Sequence, residues 1–352
     1  MIGKRTDSAA LEQAIANWLA VRRDEIPWDQ LDCLNLIGSV EAAEVSVAMR
    51  SLRRLVFALL RHVDEGRQVV ITDFLKHTRK NKVEQPLAKM AASYRLSSIY
   101  QLKSRLQSAG VAFPETRGAV CITHDVDWIE CQKFTPDLAA FEERCGIRST
   151  FNFLTHWNYK LDKALVADLA RAGFEIGLHG AEHDIALAYR SREKICVHLR
   201  RALDVLPVPV KGFRSPALSS SQTLLAALDE LGFAYDSSLA TRDMYGEGLD
   251  MCFPYLYPEL KLWEIPLTLQ DSTLFRDLGL RDGEAADIVL ELMHEVVEMG
   301  GVFVFNGHPG ILRNHMEFYR SFVERAVDCD VLTMEEIVHC WKGRQRVQPR
   351  SI

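Results

Sequence analysis

Ala119-Val120-Cys121-Ile122-Thr123-His124-Asp125-Val126-Asp127 is the stretch that decides the fold. Four residues suited to a buried strand run straight into a polar signature carrying two carboxylates. The same arrangement recurs three times. Phe174 to Leu178 leads into His179-Gly180-Ala181-Glu182-His183, Val208 to Phe213 into Arg214-Ser215-Pro216, and Val302 to Phe305 into Asn306-Gly307-His308-Pro309. Apolar strands that each end in chemistry-bearing residues predict a mouth shared by several strand ends.

Working outward, strands are predicted over 119–126, 149–155, 174–179, 210–215, 233–236, 262–269 and 302–307. Helices are predicted over about 136–145, 161–172, 190–204, 221–231, 284–299, 316–327 and 333–342. Near-continuously apolar strands separated by helices imply a parallel sheet covered by helices. The number of units favours closure, so the expected fold is α/β, a distorted (β/α)7-type barrel of parallel strands with an additional N-terminal helical region. Ahead of Gly118 the pattern is helical. Leu11, Ile15, Trp18 and Leu19 share one face, Val40 to Val63 is strongly apolar, and Pro86 to Gln107 is a third helical zone. The expected division is a helical region over 1–117, the barrel over 118–342 and a tail over 343–352.

Composition sets outer bounds. Hydrophobic residues make up 48% of the 352 and charged residues 26%, which is ordinary globular usage. A net charge of −6 argues against a nucleic-acid partner, which needs a basic face. No apolar stretch is long enough for a transmembrane segment, and Met1 to Leu11 lacks the apolar core of a signal peptide. The eight cysteines are scattered without a CxxC pair, so a reduced, cytoplasmic protein is expected.

The signatures carry the chemistry. Asp125 and Asp127 stand two apart at a strand end, which puts both side chains on one face. Two carboxylates that close ionise together only with a cation beside them. A capping role for the pair at the next helix is the plain alternative. His179 and His183 are four apart, and a turn between them brings both imidazoles to one borderline ion such as Zn²⁺. Arg214 at a strand end can hold a carboxylate ionised. His308 can deliver a proton to a leaving amine. Each also reads as an ordinary surface or turn residue by itself; together they are the parts for metal-assisted hydrolysis of an acyl bond.

With these motifs the sequence resembles the polysaccharide deacetylases, carbohydrate esterase family four, over about residues 118–342. Thr123 to Asp127 looks like the D-x-D variant of the family's first motif. That resemblance implies Asp125 as catalytic base, Asp127, His179 and His183 as metal ligands, and His308 as general acid. It also matches Arg214 and Pro216 to the third motif. Asp236 in Tyr235-Asp236-Ser237-Ser238 and Glu264 in Trp263-Glu264-Ile265-Pro266 compete for an orienting role in the fourth motif. The family fold, an incomplete barrel of parallel strands, agrees with the strand count.

The function so implied is metal-dependent removal of an N-acetyl group from an amino-sugar-containing substrate. That substrate is a cell-envelope glycan or its activated or lipid-linked precursor. One divalent ion is required, Zn²⁺ foremost, with other divalent ions open. Trp128, Trp157 and Trp263 are candidates to stack on sugar rings. Two other functions remain open: hydrolysis of another non-peptide C–N bond in a small linear or cyclic amide, and non-catalytic sugar binding. Arg50, Arg53, Arg54 and Arg61 flank an apolar helix, which suits peripheral membrane contact or docking on the barrel or a second copy in a homo-oligomer.

Overall fold

The structure is a computed structural model that describes residues 118–156, 159–241, 252–257 and 260–344. The helical region expected over 1–117, the chain beyond 344 and Trp157 lie outside the described residues. Ten strands are described: β1 Ala119–Val126, β2 Thr150–Leu154, β3 Glu175–Gly180, β4 Gly212–Phe213, β5 Tyr235–Asp236, β6 Tyr255–Leu256, β7 Trp263–Glu264, β8 Leu269–Gln270, β9 Val302–Asn306 and β10 Asp330–Val331. The helices are α1 Ile129–Arg144, α2 Lys163–Arg171, α3 Arg192–Leu203, α4 Gln222–Glu230, α5 Asp282–Glu298, α6 Pro309–Leu312, α7 Met316–Ala326 and α8 Met334–Arg344.

The sheet runs β6-β7-β5-β4-β3-β2-β1-β9-β8, with β10 beside the start of β1. Among the described strands only the β6–β7 pair is antiparallel. The two ends of the sheet approach at a seam. Residues just past β5 pair in parallel with the segment before β8, through Ala240 opposite Leu267. Thr241 N donates to Leu267 O at 2.7 Å, and Leu267 N to Leu239 O at 2.9 Å. This curled parallel sheet, wrapped by helices, is a distorted barrel.

All seven expected strands are present, but 262–269 is two strands rather than one. Pro266 has no N–H to give a ladder, and the chain crosses the seam there. The first helix starts at Ile129, not near Pro136, and carries Pro136 inside it. Burial of Cys131, Leu138 and Ala139 on one face outweighs the missing bond, which costs about 3 kcal/mol. Elsewhere caps set the helix starts. Asp162 accepts from Ala164 N and Leu165 N ahead of α2, and Ser221 accepts from Leu224 N ahead of α4.

Period two sorts each strand into an inner and an outer row. The outer row, with Val120, Ile122, Phe151, Phe303 and Phe305, packs with Phe318, Tyr319 and Phe322 of α7 in the main core. The inner row begins with Ala119, Cys121, Val302 and Val304, packed against Met334, Ile337, Val338 and Trp341 of α8. These inner residues lie at the amino-terminal ends of β1 and β9, so α8 plugs that end of the barrel. The inner row turns polar further along, at Thr123, Asp125, Asn306 and then His308. Trp263 corrects an expectation. It is 1% exposed and packs with Tyr235, Ile265 and Leu267 in the interior, so neither ring face is free for a sugar.

The interior leaves no room at β4. A Cβ on Gly212 would lie 1.8 Å from the Tyr235 ring, whose hydroxyl donates to Glu175. Gly212→Ala is expected to lower stability by about 1–3 kcal/mol, the usual cost of overpacking. A denaturant midpoint equal to that of the unaltered protein would contradict this packing.

Candidate active site

The four signatures meet at the mouth. His179 is the penultimate residue of β3, and Gly180 closes the strand with φ +126°, a conformation other residues rarely adopt. The chain turns there and returns His183 beside His179, with ring centroids 5.5 Å apart. Asp127 follows β1 directly. His179 Nε2 lies 3.2 Å from Asp127 Oδ1, and His183 Nε2 lies 3.5 Å from Oδ2. One donor atom from each of the three falls within 4.8 Å of the others.

The donors fit a cation. His179 Nδ1 is 2.7 Å from the carbonyl of Arg214, which can only accept, so Nδ1 carries the proton and a neutral ring leaves Nε2 bare. Asp127 Oδ1 is buried and makes no hydrogen bond despite its nearness to His179. Burial alone would raise the Asp127 carboxyl; the charges of His183 and His179 outweigh it and hold the pKa well below the ordinary value. A carboxylate oxygen without a partner facing two imidazole nitrogens is a divalent-metal donor set, and Zn²⁺ suits its composition.

Asp125 sits one step back on the inner row, 3% exposed. Its Oδ1 accepts from Asn152 Nδ2 at 2.9 Å and its Oδ2 from Asn306 Nδ2 at 2.8 Å. Arg214 Nη1 lies 3.4 Å from Oδ1. Burial pushes this carboxyl up, but His179 and then Arg214 more than reverse it, so it stays ionised below the usual range. Both amides spend their N–H groups on the carboxylate, which fixes its direction as well as its charge.

His308 faces the same point from β9. Its Nε2 is 3.5 Å from Asp127 Oδ2. Its Nδ1 is 2.6 Å from Asp271 Oδ1, and its backbone N–H donates to Asp271 Oδ2 at 2.6 Å. Burial lowers the imidazole pKa; Asp271, followed by Asp127, raises it well above the ordinary histidine value. The indole of Trp128 stacks on the ring, centroids 5.7 Å apart and planes within 15°. Of the two described sugar-stacking candidates, Trp128 is thus the one at the mouth.

Asp236 and Glu264 lie elsewhere in the site's framework. Both are fully buried at adjacent strand ends. Burial raises Asp236 to about 7, and burial followed by the charge of Asp236 pushes Glu264 well up. Tyr257 Oη donates to Glu264 Oε2 at 2.7 Å and Leu239 N to Oε1 at 3.1 Å. The pair flanks Ser237, whose carbonyl and hydroxyl accept from Arg214 Nε at 3.0 Å and Nη2 at 2.9 Å. The carboxylate hydrogen-bonded to His308 is Asp271.

Sequence reasoning passed over Asn152, Asp271 and the side chain of Asn306. Two had a signal. Asn152 interrupts Phe151-Asn152-Phe153 at the period of an inward row, and Asp271 follows directly on the alternating run Leu267-Thr268-Leu269-Gln270.

Comparison with known proteins identifies the family. Residues 122–322, more than half of the chain, match the profile of the WbmS-like polysaccharide deacetylases. The chain belongs to that family. A provisionally assigned polysaccharide deacetylase from Mycobacterium smegmatis is similar in structure, at 23% identity and TM-score 0.55, over 69% of this chain and 96% of that one. A provisionally assigned polysaccharide deacetylase of O-antigen biosynthesis from Bordetella bronchiseptica matches at 18% identity and TM-score 0.40, over 67% and 87%. A family-four pseudoenzyme from Bacillus anthracis matches at 14% and TM-score 0.40, over 64% and 66%. No curated protein matches the chain.

The donor set predicts one divalent ion per chain. Removing both imidazoles by His179→Ala with His183→Ala is expected to abolish Zn²⁺ binding at micromolar protein, measured by elemental analysis after gel filtration. Full occupancy in that double variant would remove the site.

Proposed function

We propose that the chain is a metal-dependent amide hydrolase that removes an N-acetyl group from an amino-sugar-containing substrate, a glycan or its activated or lipid-linked precursor. One observation carries this reading: the buried Asp127 oxygen without a hydrogen bond, facing two imidazoles, with an ionised Asp125 and a raised-pKa His308 on the same mouth. The family description, polysaccharide deacetylase, supports a glycan as substrate. Among the described residues no helix is long and apolar enough to cross a membrane. The described cysteines are free thiols, which fits a reducing, cytoplasmic compartment.

Asp127, His179 and His183 would hold the cation, which supplies Lewis acidity and makes water a better nucleophile near neutral pH. Asp125 accepts the proton of the attacking water. Asn152, Asn306 and Arg214 keep its carboxylate charged and aimed. His308, protonated and held by Asp271, gives its Nε2 proton to the departing amine nitrogen. Trp128 covers one face of that imidazole and offers an aromatic wall beside the substrate. The products are acetate and a free amino sugar.

Asp125→Asn is expected to keep metal and fold while losing about 10²–10⁴-fold in acetate release from an N-acetylated oligosaccharide, the usual worth of acid–base help. Turnover near that of the unaltered enzyme would assign the base elsewhere.

The pH profile tests the electrostatics. Arg214 lowers the Asp125 pKa, so the base stays competent toward acid pH. In Arg214→Met that support is gone, and the acidic limb of kcat/KM should move to higher pH. An unmoved limb in a folded variant would mean that Asp125 does not report there.

A further inference from the structure

A second polar cluster lies behind β1, on the face away from the carboxylates. His124 alternates with Thr123 and Asp125, so its ring points outward and lies 4.6 Å from the Phe151 ring, centroid to centroid. It has no exposed surface. Its Nδ1 is 2.8 Å from the carbonyl of Gly307, and a carbonyl only accepts, so Nδ1–H donates. Its Nε2 is 2.7 Å from Glu142 Oε1, also unexposed, on α1. The Tyr319 hydroxyl of α7 donates to the same oxygen, and the Ser149 hydroxyl donates to Oε2 at 2.6 Å. An ionisable pair buried in an apolar layer is costly, and apolar replacement is often neutral or stabilising. The proposed reaction uses neither residue.

What the cluster grips is the informative point. Gly307 separates Asn306, which holds Asp125, from His308. Its N–H donates to Thr123 O at 2.8 Å and its C=O accepts from His124. Both polar groups of this one peptide segment are thus bound to β1, the strand that carries the base. Across the barrel wall, Asn306 Oδ1 accepts from Arg214 Nη1 at 3.0 Å. On the other side of the turn, His308 is held by Asp271. The turn therefore joins the base to the acid, and His124 fixes its middle.

We infer that His124, oriented by Glu142, is a positioning residue that sets the Asn306-Gly307-His308 turn and so the alignment of His308 with Asp125, resting on the deacetylase reading of the site. It touches neither substrate nor metal ligand. Its effect falls on proton delivery to the leaving group, where a misplacement of about 1 Å can cost about 10²-fold.

Two near-isosteric substitutions separate this role from packing. In His124→Asn the amide nitrogen falls near the place of Nδ1 and keeps the bond to Gly307. In His124→Gln it falls near the place of Nε2, keeps Glu142 and gives up Gly307. Each is assayed for kcat and KM on an N-acetylated oligosaccharide and on an activated acetyl ester, whose leaving group needs little protonation. Amide hydrogen exchange is followed at residues 306–310. His124→Asn is expected to keep kcat, KM and exchange at Gly307 near those of the unaltered protein, with a lower melting temperature because Glu142 loses its imidazole partner. His124→Gln should lose about 10- to 100-fold in kcat on the amide, much less on the ester, with KM and metal content unchanged and faster exchange at Gly307 and His308. Equal losses in both variants, equal losses on amide and ester, or unchanged exchange at Gly307 in His124→Gln would overturn the assignment. If the unaltered protein releases acetate from no substrate, the deacetylase reading falls, while exchange in the two variants still decides whether His124 fixes the turn.

Discussion

A guanidinium with no exposed surface stands at the centre of this barrel, and the site is built around it. Arg214 donates to the Thr123 hydroxyl at 2.6 Å, to Asn306, and twice to Ser237, and it lies beside Asp125. Those contacts tie β1, β9 and the end of β5 to β4 at one level. Most acceptors are neutral oxygens, so the charge is shared with dipoles and left to act on Asp125. A buried charge without such satisfaction costs several kcal/mol, and removing one member of a buried pair typically costs about 3–5 kcal/mol. The arginine is therefore the brace of the barrel mouth and, after His179, a source of the field that keeps Asp125 ionised.

The barrel is divided along its axis, and the division explains where chemistry can occur. At the amino-terminal end, Trp341, Ile337 and Met334 of α8 fill the space between the strands with apolar side chains. At the carboxyl end the same inward rows carry Thr123, Asp125, Asn306 and His308. The apolar plug gives cohesion, at about 1.5–3 kcal/mol for each large side chain fully buried. It leaves the carboxylates and imidazoles of the candidate site to the mouth. Asp236 and Glu264 show the limit of that division. Two buried carboxyls that close keep a proton, and they serve the segment that cradles Arg214.

The proposed acid and base are set apart by surroundings rather than by residue type. Asp125 accepts from two amides and faces positive charge, so it is held low. His308 faces Asp271 and Asp127, so it is held high. The Asn306-Gly307-His308 turn links the two groups within three residues, which makes the backbone there as much a part of the site as the side chains.

Much of this was legible in the sequence, because strand alternation and strand-end signatures are local. The apolar runs before Thr123, His179, Arg214 and Asn306 determine parallel strands, and their polar ends determine a shared mouth. The spacing of Asp125 with Asp127 and of His179 with His183 determines which side chains can share a face or a turn. Tertiary structure decided the rest, for reasons no local pattern contains. It split 262–269 at Pro266 because the sheet closes on itself there. It buried Trp263 because α8, distant in sequence, fills the barrel beneath it. It gave His308 to Asp271 rather than to Asp236 or Glu264 because β8 pairs with β9, whereas β5 and β7 pair with each other and not with β9. It set His124 against Glu142 and Tyr319 because α1 and α7 pack over the outer face of β1. Sequence settles which residues a strand presents; only closure of the sheet settles which of them meet.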